Sequence, residues 1–219
     1  MSKTATARAE SKVQKPGWKV LLLLGAAGVG AVMFLYIAAL PYFALDPQKL
    51  GLYAGKEPWV FAHITAGMVA LLLGPFVLWL GLNRRKMPLH RQIGVAYMIS
   101  VALSSIAAYY LAFTTNLGWV FGMGLTALAT AWIATTSLAF VSIRRRMVDQ
   151  HKEWMIRSYV TTFSFVNFRI FVGILMSAGV GTQGEQLTAA SWICWSVPLL
   201  VTELILQGRK VLRPAKISS

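Results

Sequence analysis

Cysteine is nearly absent: Cys194 is the only one in 219 residues. A single thiol closes no intrachain disulfide and builds no cysteine-rich zinc centre, so neither device staples this fold. Acidic residues are scarce as well, 7 against 21 Lys and Arg, and they do not gather into a pair suited to acid–base catalysis. Asp46 and Glu57 lie in one connection, while Asp149 and Glu153 flank His151, where they suit a helix N-terminus. No Walker phosphate loop, no His-Glu-x-x-His and no Gly-x-Ser-x-Gly occurs. Those absences remove the commonest nucleotide, zinc-protease and serine-hydrolase signatures. The start, Met1-Ser2-Lys3, also lacks the glycine that myristoylation needs.

What is present is apolar length. Hydrophobic residues make up 57% of the chain, far above a soluble domain, and they fall into six long runs. The expected fold class is all-α: an integral membrane helical bundle of six transmembrane helices. The spans cover about 18–43, 59–81, 90–115, 119–143, 154–178 and 187–207. Residues 1–17 read as a disordered basic tail, and 208–219 as a second basic tail. The first run ends in Leu40-Pro41-Tyr42-Phe43, unlike a small-residue cleavage site, so it is expected to stay as a span. The connection from Ala44 to Pro58 has Asp46-Pro47 and Glu57-Pro58 as turn signals and room for a short interfacial helix.

A net charge of +14 raises nucleic acid as a partner, but its placement argues against that. All basic residues except Lys49, Lys56 and Arg169 sit in the tails, in two Arg-rich loops, or at the starts of the first, third and fifth spans. Positive charge on alternate connections is the positive-inside pattern. It puts both termini in the cytoplasm, with the basic loops against anionic phospholipid headgroups. Trp18, Trp59, Trp79, Trp119, Trp154 and Trp192 fall near span ends, as an interfacial aromatic belt requires.

The two basic loops share a signature. Arg84-Arg85-Lys86-Met87 leads to His90-Arg91, and Arg144-Arg145-Arg146-Met147 leads to His151-Lys152. Spans two and three would then form one hairpin, and spans four and five a second, as a parallel repeat.

Three histidines, His63, His90 and His151, are the only ones present, and each heads a face of small and polar residues at helical spacing. From His63 that face runs Gly67, Ala70, Gly74; from His90, Gly94, Tyr97, Val101, Ser104; from His151, Met155, Ser158, Thr162, Arg169. One reading is a haem-b site, in which His63 is the metal ligand and Met123, at similar depth on the fourth span, the second. The glycine stripe would face the macrocycle and Arg169 a propionate. The other reading makes His90 and His151 helix-start residues near headgroups and His63 a packed core histidine. Against the haem reading, a diheme bundle wants four histidines, two per helix.

Charge within spans is costly and is normally paired. Arg157 lies about one turn inside the fifth span and Glu203 about one turn inside the sixth from the same side, which predicts an ion pair. Arg169 has no acid at its depth; it either snorkels or meets an anion. Tyr53, Tyr109 and Tyr110 are candidates to complete an outer pocket around His63 and Arg169.

The stretches His63-x-x-x-Gly67, Leu89-His90-Arg91-x-x-Gly94-x-x-Tyr97 and His151-Lys152-x-Trp154-Met155-Ile156-Arg157-Ser158-Tyr159 carry a resemblance. Over about residues 59 to 175, the chain resembles a family of bacterial multi-pass membrane proteins catalogued as a domain of unknown function. The resemblance implies a multi-helix membrane protein whose histidines and arginines belong to the motif, and it implies no activity. Three functions stay open. One is a non-catalytic subunit or assembly protein that meets a membrane partner. The second is a haem-b or quinone-binding redox protein using His63 and Arg169. The third is a small-molecule transporter with Arg157 and Glu203 as its gate.

Overall fold

The computed structural model describes residues 17–43, 53–83 and 86–212. Residues 1–16 and 213–219 of the two tails, the Asp46-Pro47 turn with its interfacial helix, and Arg84-Arg85 lie outside the described residues. The elements are α1 (Trp18–Phe34), a π-helical turn (Leu35–Ala39), α2 (Leu40–Phe43), α3 (Glu57–Asn83), α4 (Met87–Phe113), α5 (Trp119–Arg144), α6 (Val148–Thr162), α7 (Ser164–Ser177) and α8 (Gln183–Val211). The described residues contain no strand.

Five stretches are long and apolar enough to cross a membrane: Leu21–Phe43, α3, α4, α5 and α8. The pair α6 and α7, bent by 43°, makes a sixth if the two cross as one span. This is an integral membrane protein in a lipid bilayer, and it is all-helical. Helices α3, α4, α5 and α6 pack in a ring, each against the next, with α6 closing on α3. Their shared core holds Ala70, Val77, Tyr97, Val101, Trp132, Ala139 and Met155. Helix α8 lies along α5, α6 and α7, and α1 lies on α3 and touches α7. The start of α4, the α5–α6 turn and the end of α8 share one end of the bundle. The His90 and His151 rings meet there, and Lys210 bonds Glu153. Because the turn of Arg144, Arg145 and Arg146 sits at it, this is called the basic end.

The sequence pattern gives the fifth span as one helix from 154 to 178, whereas the structure breaks it at Phe163. Thr161 donates its hydroxyl to Arg157 O and Thr162 donates to Ser158 O, both at 2.8 Å. Hydroxyls that bond back four residues loosen the main-chain ladder and bend helices. Two such threonines in succession precede the break. The π-helical turn in the first span ends two residues before Pro41, whose ring nitrogen has no hydrogen to donate.

Two prolines inside membrane helices each free a carbonyl four residues back. For Pro75 in α3 the carbonyl is Leu71 O, and Tyr159 donates its hydroxyl to it at 3.4 Å. For Pro198 in α8 it is Cys194 O, and Asn167 donates its amide at 3.2 Å. Both donors come from the broken span. Asn167→Ala should therefore strand Cys194 O in an apolar setting and cost about 1–2 kcal/mol. Chemical unfolding in detergent measures this, with Asn167→Gln expected to lose less.

The turns obey local chemistry. Helix α7 ends with Gly179 in the left-handed region, φ 64°, with Val180 N–H bonded to Leu175 O. Helix α5 ends in the same motif, Met147 N–H on Ser142 O, but the left-handed position is Arg146, φ 60°. A side chain there costs about 1–2 kcal/mol relative to glycine. Arg146→Gly should raise stability by about 1 kcal/mol, read as a higher unfolding midpoint. Helix α8 starts at a capping box: Thr182 N–H donates to Glu185 Oε2 at 2.7 Å, and Glu185 N–H donates to Thr182 Oγ1 at 3.4 Å.

Candidate functional site

Arg157 is 5% exposed on α6, with its guanidinium against α8. Its Nε and Nη2 each lie 2.7 Å from Glu203 Oε2, so one carboxylate oxygen takes both donors. Nη1 stands 3.6 Å from Glu153 Oε2, which in turn accepts from Lys210 at 2.8 Å. Gln207 donates to Glu203 Oε1 at 2.7 Å, and the guanidinium carbon lies 4.6 Å from the centre of the Trp154 ring. A charge-assisted chain, Lys210–Glu153–Arg157–Glu203–Gln207, thus ties α6 to α8.

That chain lines the basic end of a cleft of about 610 Å³ between α5, α6 and α8. Trp154, Trp195, Leu199 and Leu200 form its apolar walls, and Thr135 and Ser196 add hydroxyls. The four ionised groups at its rim, two of each sign, cancel in formal charge. The volume lies within the range of small-molecule sites.

The histidines share one feature. His63 Nδ1 is 2.9 Å from Ser104 O, His90 Nδ1 is 3.1 Å from Val77 O, and His151 Nδ1 is 2.8 Å from Ala139 O. A carbonyl only accepts, so each Nδ1 carries the hydrogen and each neutral ring keeps its lone pair on Nε2. His90 and His151 stand fourth in their helices and reach back 13 and 12 residues to the preceding one. Their rings meet with centroids 6.4 Å apart and planes at 86°.

Further into the bundle, Tyr97 and Ser158, each seven residues on from its histidine, also meet, with the Tyr97 Oη 2.8 Å from Ser158 Oγ. Thr162 lies 2.7 Å from Tyr97 Oη and accepts from Trp132 Nε1 at 2.8 Å, and Thr136 lies 2.7 Å from Ser158 Oγ. All five side chains are buried, so the core is crossed by a hydrogen-bonded hydroxyl cluster. Matching residues of the two hairpins meeting in pairs is the geometry expected of a parallel repeat around an axis along the bundle.

A family model described as "Predicted membrane protein (DUF2306)" matches residues 60–206, more than half of the chain. The chain belongs to that family. The DUF2306 match takes in most of α3, all of α4 to α7 and most of α8, hence all three histidines, the hydroxyl cluster, Arg157 and Glu203; Gln207 and Lys210 lie past its end. No curated protein and no solved structure matches the chain.

The remaining candidates are spread apart. Around His63, the glycine stripe is occupied. A Cβ on Gly67 would meet Phe165 Cζ at 3.3 Å, and one on Gly74 would meet the Tyr159 ring at 2.1 Å. The Phe165 ring itself lies 5.2 Å from the His63 ring. The stripe is small because aromatic rings from α6 and α7 lie on it. Met123 is 47% exposed on α5. Arg169 is exposed on α7 and donates from Nη2 to Tyr42 Oη at 3.4 Å. Tyr53 stacks edge-on to Tyr42, and burial, with help from Tyr42 and against Arg169, raises its phenol above the ordinary range. Tyr110 stacks on Trp59 and Tyr109 bonds Thr130, so neither joins Arg169.

Sequence reasoning missed the role of Glu153, Gln207 and Lys210, the hydroxyl cluster, and the proline-rescuing Tyr159 and Asn167. The spacing carried part of it: Glu153 stands four residues before Arg157, and Gln207 four after Glu203.

Proposed function

We propose that the protein takes a small amphiphile with a neutral polar head into the α5–α6–α8 cleft and acts as a membrane carrier or binding protein for it. The observation that carries this reading is the cleft itself: two indoles and two leucines along its walls, and at one end a charge chain whose signs cancel. Such a rim offers hydrogen bonds to an uncharged head, such as a ring carbonyl or hydroxyl, without favouring an ion of either sign. The apolar walls suit a ring or chain drawn from the lipid phase. The Arg157–Glu203 pair holds α8 against α6 at the cleft, so opening the pair would widen it.

The charge distribution supports an orientation with the basic end and both termini in the cytoplasm, the basic turns facing anionic headgroups. In whole cells, a cysteine at Gln183, in a Cys194→Ser background, should label from outside and one at Gln150 should not. Labelling at Gln150 would reverse the orientation. A cysteine at Gln48, in the same outer connection as Asp46, serves as a second outside reporter but lies outside the described residues.

Native mass spectrometry of protein released from mild detergent tests the binding reading. One small amphiphile per chain is expected, and Ser196→Trp, which fills the cleft, should abolish it while leaving helicity intact. An unchanged bound species in that variant, or none in the parent, contradicts the proposal.

A further inference from the structure

At the axis between the two hairpins, His90 and His151 form an arrangement that the amphiphile reading does not use. Each ring is held by its Nδ1–H on a main-chain carbonyl of the preceding helix. Those carbonyls belong to Val77 and Ala139, 2% and 1% exposed, so the anchors are fixed in the core. Among the described residues, no hydrogen bond engages Nε2 of either ring. An imidazole tied by one nitrogen to a carbonyl and bare at the other is the arrangement found in metal-ligating histidines. Here it is built twice, from equivalent positions, and the two rings meet edge-on with their planes at 86°.

We propose that His90 and His151 are the two ligands of a Cu(I) site. Three observations select that ion. First, the imidazoles come as a pair: among the described residues no group of three or more His, Cys, Asp or Glu is placed to hold a metal. Zinc prefers four ligands, whereas a closed-shell monovalent copper accepts two imidazoles. Second, the spacing suits a linear arrangement. With metal–nitrogen bonds of about 2 Å, two Nε2-bound imidazoles in line put their centroids ~6.3 Å apart, and a tetrahedral angle draws them to ~5 Å. The observed separation is 6.4 Å. Third, the surroundings are basic. Arg91 and Lys152 follow the two histidines directly, and Arg144 to Arg146 form the adjoining turn. A divalent ion pays twice the repulsion of a monovalent one there. Coordination uses the lone pairs already on Nε2, so both anchoring hydrogen bonds persist in the bound state.

The test titrates purified protein in mild detergent with Cu(I), anaerobically and under reductant, against a coloured Cu(I) chelator. The parent should withdraw one Cu(I) per chain. His90→Gln and His151→Gln keep an N–H for Val77 O and Ala139 O but lose the ring donor, and each should weaken binding at least ~100-fold, while His63→Gln leaves it unchanged. Should the glutamine variants fail to fold, X-ray absorption on the loaded parent decides: two nitrogen neighbours and no more support the site. A folded parent that takes no Cu(I), binding unaltered in both variants, Zn(II) held as tightly as Cu(I), or a haem spectrum lost with the same two variants would each overturn it.

Discussion

Gly74→Ala is expected to destabilise the detergent-solubilised protein by about 3 kcal/mol, far above the usual effect of one methyl group. A Cβ at that position would stand 2.1 Å from two carbons of the Tyr159 ring. The ring cannot simply rotate away. It is 7% exposed, and its hydroxyl serves the carbonyl that Pro75 leaves without a partner. A shift of the ring therefore costs packing and also strands Leu71 O, so the two losses come together. Tyr159→Leu alone should cost about 1–3 kcal/mol for the stranded carbonyl. In the Gly74→Ala/Tyr159→Leu double variant the clash is relieved, and the sum of the two single effects should exceed the measured one by at least about 1 kcal/mol. Chemical unfolding of the four proteins measures this. Strict additivity would show that α3 and α6 do not meet at this point.

The second large effect concerns the charge chain. Glu203→Leu removes the acceptor of both Nε and Nη2 of Arg157, whose side chain is 7% exposed. Fully buried pairs lose about 3–5 kcal/mol when one partner goes. Glu203 is 43% exposed on its side chain, so about 2–3 kcal/mol is the expectation here. Arg157→Leu should cost less, because the carboxylate it leaves is half-exposed and retains Gln207. The double Leu variant should recover much of the Glu203→Leu loss, since no charge is then left stranded. Absence of any coupling would mean that the pair does not hold α8 to α6.

The spans were readable because crossing a bilayer requires about 20 consecutive apolar residues, and nothing else in the chain imitates that. Boundaries shifted by a few residues where caps rather than hydropathy set them. Helix α8 begins at Gln183 and not near 187 because Thr182 and Glu185 cap each other, a signature present in the sequence as Thr-x-x-Glu. The break at Phe163 was hidden by the continuous apolar composition of the fifth span. Its cause lies in hydroxyl back-bonding, which depends on rotamers rather than on pattern.

At the candidate site, one-dimensional depth was legible and rotation was not. Arg157 and Glu203 stand at equal depth by counting, but which faces they present depends on how α6 and α8 pack. The same applies to Met123, placed by depth beside His63 and found 47% exposed on α5. In the haem reading the glycine stripe below His63 faces a macrocycle, whereas in the structure rings from α6 and α7 lie on it. Partners far apart in the chain, such as Tyr159 for Leu71 O, 88 residues away, leave no local trace. The repeated basic-Met-His signature pointed to related hairpins; that their histidines meet ring to ring needed the three-dimensional arrangement.

The central claim is that the α5–α6–α8 cleft holds a small amphiphile. A cryo-electron microscopy map of the protein in lipid nanodiscs tests it most directly. Elongated density is expected between Trp154 and Trp195, with its polar end at Arg157, Glu203 and Lys210. A cleft filled only by its own side chains, or closed by movement of α8 onto α6, would contradict it.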